Sequence, residues 1–213
     1  MVVDDRMRAY YDRRAGEYDD WWLGSGKFAR RERPGWGAGV DTVVALLERL
    51  PAARVLDVAC GTAFLTRHLR GEVTALDQSP GMLAIAARRL PKATLVQGDA
   101  VPLPFPDGAF DRVVTSHFYG HLRTDERAPF LAEARRVARE IIVVDSAVRS
   151  DEADEQDQER VLNDGSRHTV YKRFFTGEGL AHELGGGDVL YAGRWFLVVR
   201  SAGAARAFSR VTA

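Results

Sequence analysis

The feature that most constrains the fold is an alternation of strand patterns and helical patterns between residues 54 and 146. Five apolar runs predict strands, at residues 54–59, 72–76, 93–97, 110–116 and 140–146. Helical patterns follow the first, second and fourth of them (FLTRHL, SPGMLAIAARRL and TDERAPFLAEARRVA). Strands connected through helices form βαβ units, so the sequence predicts a parallel sheet with helices on both faces.

The C-terminal region has a different pattern. The runs DVLYA and WFLVVR are separated by a short turn, which predicts an antiparallel hairpin at the edge of the sheet. We therefore expect a Rossmann-like α/β fold with a seven-stranded, mostly parallel sheet. We predict a single domain, divided into an N-terminal lid (1–39), a cofactor-binding core (40–148), an insertion that begins with a helix and covers the substrate (149–172), and a C-terminal helix and hairpin (173–213).

Charge and composition narrow the classes of partner. Lys and Arg together number 30, as do Asp and Glu, whereas proteins that bind nucleic acid usually carry a basic excess. One cysteine allows no internal disulfide, which fits a reducing cytoplasm, and no apolar stretch has the length of a membrane span. We expect a bacterial, cytoplasmic monomer or homodimer that acts on a small molecule and binds neither nucleic acid nor membrane.

The turn after the first strand contains small residues (ACGTA, 59–63) and has one glycine, Gly61. Dinucleotide-binding folds carry G-x-G-x-x-G here, to place pyrophosphate against a helix N-terminus. Asp57, near the end of the strand, would repel a pyrophosphate and suits a cation or an ammonium group. The turn therefore disfavours a nicotinamide-dependent dehydrogenase.

Acidic residues also end the next two predicted strands. Asp77 can accept hydrogen bonds from ribose hydroxyls, and Asp99 can accept one from the exocyclic amine of adenine. Three acids at one sheet edge predict a ligand that combines a cationic group, a ribose and an adenine. The alternative for each acid is a solvated loop residue or a helix cap.

Four segments resemble the class I S-adenosylmethionine (SAM)-dependent methyltransferases. VLDVACGTAFLT is similar to their first motif, V-L-D-x-G-C-G-T-G, and LDQSPGML resembles their second. QGDAVPLPFPDGAFDRVV and YYDRRAGEYD resemble the ubiquinone/menaquinone-biosynthesis-like (methyltransferase type 11) branch. The resemblance spans roughly residues 10 to 200. Ala59 and Ala63 stand where the family usually has glycine, and their methyl groups narrow the space for the amino-acid end of the cofactor.

The resemblance implies SAM as cofactor and S-adenosylhomocysteine (SAH) as product, with no metal. It implies that Asp57 supports the turn and the methionyl amine, that Asp77 binds ribose, and that Asp99 reads the adenine edge. The full predicted cofactor site is Asp57, Ala59, Gly61, Thr62, Asp77, Gln78, Met82, Asp99, Ala100 and Ser116.

The candidate catalytic and acceptor-binding residues lie mainly in TSHFYGHL, at the end of the fourth strand, and in the N-terminal segment. His117 is predicted to be a base or an orienting group, with a pocket-wall residue as the alternative. His117 and His121 lack an evident third metal ligand. The resemblance implies that Tyr11 belongs to a lid, whereas its helical spacing also fits a packed amphipathic helix. The candidate acceptor contacts are Trp22, Arg30, Tyr119, His121 and Tyr171.

The combined prediction is methyl transfer from SAM to a small-molecule acceptor, by in-line displacement in a lidded pocket. O- or N-methylation is favoured, and C-methylation is an alternative. A protein that binds SAM without catalysis, as a regulator or partner, is the second hypothesis.

Overall fold

The computed structural model describes residues 5–150 and 153–201, and its main feature is a seven-stranded sheet. The strands of this sheet are β1 (Ala53–Val58), β2 (Gly71–Asp77), β3 (Thr94–Gln97), β4 (Arg112–Ser116), β5 (Glu140–Ser146), β8 (Gly187–Ala192) and β9 (Phe196–Ser201). Their order is β3-β2-β1-β4-β5-β9-β8. The first five are parallel, and β9 is antiparallel to both of its neighbours. The predicted fold class is confirmed.

Six α-helices accompany the sheet within the described residues: α1 (Asp5–Arg14), α2 (Asp20–Leu23), α3 (Trp36–Arg49), α4 (Pro80–Arg89), α5 (Thr124–Val137) and α6 (Gly177–Glu183). Short 3₁₀ turns occur at Ala15–Glu17, Gly26–Phe28, Thr66–His68 and Tyr119–His121. Every helix in these two ranges is too short or too polar to cross a lipid bilayer.

The core forms two layers, one on each face of the sheet. Successive residues of a strand point to opposite faces, and β5 shows this alternation directly. Ile141 and Val143 join a cluster that contains Phe130 of α5, whereas Ile142 and Val144 join a cluster that contains Val43 of α3. Because both faces are covered, the carboxyl edge of the parallel strands is left as the place for a ligand.

Two sequence-based elements are corrected. The segment SDEADEQDQER (150–160) was predicted to begin the insertion as a helix. Its second half instead belongs to β6 (Glu155–Val161), which pairs antiparallel with β7 (Arg167–Arg173). Its burial alternates residue by residue, and Gln156, Gln158 and Arg160 form the half-buried side. Glu and Gln favour helices in isolation, but pairing with β7 outweighs that weak preference.

The second correction concerns FLTRHL, which forms a single 3₁₀ turn at Thr66–His68 rather than a helix. Residues 59–70 must cross the sheet between the end of β1 and the start of β2. An extended chain spans more distance per residue than a helix does, so this short crossover leaves little length for a helix.

Candidate functional site

The turn after β1 has a left-handed backbone at three positions. The φ angles are 59° at Ala59, 56° at Gly61 and 62° at Ala63. Glycine adopts this region freely, whereas an L-residue with a side chain pays about 1–2 kcal/mol. The two alanines therefore hold the backbone conformation that glycine would adopt, at a cost in strain.

Asp77 joins this turn to the end of β2. Its Oδ2 accepts a hydrogen bond from Gly61 N at 2.8 Å, and its Oδ1 accepts one from Ser79 N at 2.9 Å. The residue is 6% exposed, and burial raises the pKa of its carboxyl to about 6, although the backbone donors act in the opposite direction. A carboxylate has lone pairs beyond these two bonds, so Asp77 can accept further hydrogen bonds from a ligand.

Asp57 lies behind the turn. Its Oδ2 accepts a hydrogen bond from the Thr66 hydroxyl at 2.6 Å, and its Oδ1 is buried without a partner. Burial raises the pKa of this carboxyl to about 7, with an opposing contribution from Thr66 and a smaller supporting one from Asp77.

A cavity of about 520 Å³ opens at this edge of the sheet, and we call it the first cavity. Its volume lies in the range of small-molecule sites. All the predicted cofactor residues except Asp57 and Thr62 line it, namely Ala59, Gly61, Asp77, Gln78, Met82, Asp99, Ala100 and Ser116. The Thr62 hydroxyl instead donates to Asp19 at 2.6 Å.

The N-terminal segment closes one side of the first cavity. Tyr11 and Tyr18 line it, and a methyl group added at Gly61 would lie 3.6 Å from the Tyr18 ring. Asp12 fixes α1 to the start of α4, because its carboxylate accepts hydrogen bonds from the Ser79 hydroxyl and from Gly81 N. The β6–β7 hairpin packs against this segment, since Tyr10 and Val170 belong to one buried cluster, and Tyr171 of the hairpin also lines the cavity.

A smaller cavity of about 140 Å³, the second cavity, adjoins the first. Trp21, Trp36, Phe174 and Trp195 form its aromatic walls. The two cavities share four lining residues, which are Tyr11, Tyr18, His117 and His121. These four side chains therefore mark the junction between the cavities.

His117 occupies the junction with a left-handed backbone, at φ 53°. Its Nδ1 lies 3.3 Å from Ser146 Oγ and 3.8 Å from Asp145 Oδ1, and its Nε2 is buried without a partner. Burial lowers the pKa of the imidazole to about 3, against an opposing effect of Asp145. The ring is therefore neutral near pH 7, which suits hydrogen bonding to a ligand more than proton abstraction.

His121 is held by the hairpin. Its Nδ1 lies 2.6 Å from the carbonyl oxygen of Tyr171, and that contact requires the hydrogen on Nδ1 because a carbonyl only accepts. Burial lowers its pKa to about 3 as well, so Nε2 of the neutral ring is an acceptor.

A buried ion pair supports the junction from behind. Lys172 donates to Asp145, which is 0% exposed, and Gly120 N donates to the same carboxylate at 2.8 Å. A Cβ added at Gly120 would lie 2.7 Å from the carbonyl oxygen of Arg173 and 2.8 Å from Lys172 Nζ. The absence of a side chain at Gly120 allows this close approach.

Comparisons with known proteins find similar sequences and a similar fold. The family described as "Methyltransferase domain" matches residues 56–141. A demethylmenaquinone methyltransferase from Renibacterium salmoninarum is 36% identical over 140 residues, which are 63% of this chain and 55% of that protein. The structure of a DhpI–SAH complex superposes with a TM-score of 0.73 at 27% identity, covering 93% of this chain and 96% of that one.

The predicted resemblance to the class I SAM-dependent methyltransferases of the ubiquinone/menaquinone-like branch is therefore confirmed. A second structure, described as a DhpI–SAM–HEP complex, is 26% identical, with a TM-score of 0.73 and coverage of 90% and 94% of the two chains. The chain spans about half the length of the curated relatives that it matches.

The predicted acceptor contacts fall into two groups. His121 and Tyr171 line the first cavity, and His121 also lines the second. Tyr119, Trp22 and Arg30 line neither, which corrects the sequence-based assignment. The Tyr119 hydroxyl donates to Glu183, and its ring belongs to the core.

The other two corrections are errors of one position in the chain. Trp22 is buried against the sheet, whereas its neighbour Trp21 lines the second cavity. Arg30 is exposed, whereas Arg31 and Arg33 line that cavity. The helix that carries the two tryptophans has four residues, and the arginines lie in a loop. Neither gives a periodic pattern that shows which of two adjacent side chains faces inward, so the sequence indicated the segment but not the residue.

Proposed function

We propose that this protein transfers a methyl group from SAM to a small-molecule acceptor, with the cofactor in the first cavity and the acceptor reaching it from the second. The observation that carries the proposal is the junction, where His117 and His121 line both cavities. O- or N-methylation is favoured, and C-methylation is the alternative that the names of the demethylmenaquinone methyltransferase relatives suggest.

The residues of the first cavity fit the proposed cofactor. Asp77 has acceptor capacity left for ribose hydroxyls, and Met82 and Ala100 offer apolar contacts beside Asp99 for an adenine. The left-handed turn at Gly61 brings backbone close to the cavity. A cationic amino-acid end there would contact the buried carboxyl group of Asp77, and the buried carboxyl group of Asp57 lies behind the turn.

The bound cofactor supplies a methyl group that is already activated on a sulfonium. The protein then contributes mainly proximity and exclusion of water. Tyr11 and Tyr18 cover the junction from α1 and the turn that follows it. The neutral His117 offers its unpartnered Nε2 for a hydrogen bond that orients the acceptor.

A non-catalytic SAM-binding protein is the second candidate, and Ala59 is the observation that favours it. Its methyl group lies in the lining of the first cavity, at a position where the family usually has glycine. Turnover with any acceptor would exclude this candidate.

The test begins with calorimetric titration of SAM, SAH and, as a control, NADH. We expect micromolar binding of the first two and none of NADH. A screen of alcohols, amines and quinols for SAH release then tests turnover. Absence of SAM and SAH binding would refute the proposal, whereas binding without SAH release from any acceptor would favour the non-catalytic candidate.

A further inference from the structure

The second cavity is lined by an unusual number of cationic side chains. Among the residues that the structure describes (5–150 and 153–201), six basic side chains line it and no Asp or Glu does; the six are Arg14, Arg31, Arg33, Arg149, Arg160 and Lys172. Lys172 is neutralised by its ion pair with Asp145. The guanidinium groups account for the remaining positive charge of the lining.

Four of these arginines have no carboxylate within ion-pair distance among the residues that the structure describes; they are Arg14, Arg31, Arg33 and Arg160. Their contacts are neutral. Arg14 donates to the Tyr10 hydroxyl at 2.8 Å, and Arg33 donates to the carbonyl oxygen of Trp21 at 2.9 Å.

The aromatic walls orient two of the cations. The guanidinium carbon of Arg33 lies 3.8 Å from the centre of the Trp36 ring, and that of Arg14 lies 4.9 Å from the Tyr18 ring. Cation–π contacts of this kind hold a guanidinium in place without neutralising it. The planar donor groups thus remain available to a ligand in the cavity.

Arg160, on the inner side of β6, shows most directly that a partner is missing. Its Nη2 donates to Gln158, but its Nε is buried with no hydrogen-bond partner. Burial lowers the pKa of this guanidinium, and the neighbouring charges of Arg14 and Arg31 lower it further. A buried donor without a partner and several like charges around it are both unfavourable, and an anion would relieve both.

We propose that the second cavity binds an anionic group of the acceptor, a multiply charged oxyanion of the phosphate type. Arginine forks pair with such oxygens through two parallel hydrogen bonds, and a phosphate offers three acceptor oxygens with up to two charges. A cavity of about 140 Å³ suits a group of this size rather than a whole metabolite. The rest of the acceptor extends through the junction toward the first cavity.

This arrangement also selects against other acceptors. Cationic substrates would be repelled by the guanidinium groups of these four arginines, and neutral quinols would leave the four without counter-charge. The inference that the bound anion is part of the methyl acceptor rests on the proposed methyl transfer. Oxyanion binding to the second cavity does not depend on that function.

The experiment is calorimetric titration of inorganic phosphate, with acetate for comparison, into the protein with and without saturating SAH at low ionic strength. The variants are Arg160→Gln and Arg31→Gln. Arg49→Gln is the matched control, because Arg49 is exposed at the C-terminal end of α3, the end away from Trp36 and the second cavity. Tryptophan fluorescence gives a second readout, since three tryptophans line the cavity.

We expect phosphate to bind more tightly than acetate, and added chloride to weaken the binding. Arg160→Gln should reduce phosphate affinity at least tenfold while leaving SAH affinity within twofold, which also shows that the variant folds. Arg31→Gln should have a smaller effect, and Arg49→Gln none.

SAH binding without phosphate binding, or equal losses in Arg160→Gln and Arg49→Gln, would overturn the oxyanion site alone. Phosphate binding without binding of SAM or SAH would overturn the proposed methyl transfer and leave the oxyanion site standing.

Discussion

The carboxylate of Asp77 accepts a hydrogen bond from the backbone N–H of Gly61 at 2.8 Å, and this bond joins the end of β2 to the turn after β1. The two segments carry the predicted ribose contact and the predicted methionyl contact. One buried side chain therefore fixes the relative position of both ends of the proposed cofactor site.

Replacing Asp77 by alanine should weaken SAM binding. The change removes the proposed acceptor of the ribose hydroxyls and releases the Gly61 turn, so we expect a loss of about 1–3 kcal/mol, or about 5- to 150-fold in Kd. Calorimetry measures it. Asp111→Ala is the control, because Asp111 pairs with Arg54 near the start of β1, away from the carboxyl edge. Unchanged affinity in Asp77→Ala would refute the ribose assignment.

SAM affinity should also depend on pH, through the same carboxyl. Burial raises the pKa of Asp77 to about 6 from its usual value near 4, so the group becomes protonated below about pH 6. A cationic ligand favours the ionised form, so the contribution of Asp77 to the affinity should be complete above pH 7 and be lost as the pH decreases from 6 to 5.

Titrations at several pH values between 5 and 8 measure this dependence, with Asp77→Asn as the comparison. The variant should bind more weakly at pH 8 and show a flatter profile. A wild-type profile that is flat down to pH 5 would contradict the assignment. Asp57, whose pKa burial raises to about 7, is expected to contribute a second and higher step, which Asp57→Asn would remove.

The sequence predicted the parts of this site that depend on strand order. Once β1, β2 and β3 are recognised as parallel strands, Asp77 and Asp99 must lie at one edge, and both line the first cavity. The second cavity could not be predicted in this way. Arg14 lies on α1, Arg33 in a loop and Arg160 on β6, so only tertiary packing brings the cluster together.

The β6–β7 hairpin shows a related limit. A run of Asp, Glu and Gln has no apolar period, and helix propensity was the one signal available for it. Its strand conformation depends on β7, whose partner residues come after the turn. Because the sequence did not predict β6, it could not predict that Arg160 points into the molecule either.

The strain in the turn predicts a difference between two alanine-to-glycine changes. Replacing alanine by glycine at a left-handed position relieves about 1–2 kcal/mol of backbone strain in the folded state. The same change lowers the stability by about 0.4–1 kcal/mol, because the unfolded chain becomes more flexible. Ala59 is half-buried and loses little packing, so Ala59→Gly should raise the free energy of unfolding by up to about 1.6 kcal/mol. Ala63 is fully buried, and losing its methyl group costs about 0.8 kcal/mol more, so Ala63→Gly should be close to neutral.

Urea unfolding of the ligand-free variants measures both effects. Ala84→Gly is the control, because Ala84 is exposed inside α4, where glycine destabilises by about 0.5–1 kcal/mol. Destabilisation by Ala59→Gly as large as that of Ala84→Gly would show that the left-handed conformation is not strained at Ala59.

His117 should act on turnover by positioning the acceptor, not by removing a proton. Its pKa is about 3 because of burial, so the ring stays neutral across the range in which enzymes are usually assayed. With an acceptor found in the SAH-release screen, His117→Ala should lower kcat about 5- to 150-fold, the effect of losing one orienting hydrogen bond, and leave the Kd of SAM nearly unchanged. His117→Asn should recover part of the activity, because asparagine tolerates a positive φ and keeps a polar group at the junction.

The decisive measurement is the pH profile of kcat between pH 5 and 8. A positioning histidine leaves the shape of that profile the same in the wild type and in His117→Asn, whereas a general base produces an acid limb in the wild type that disappears in the variant.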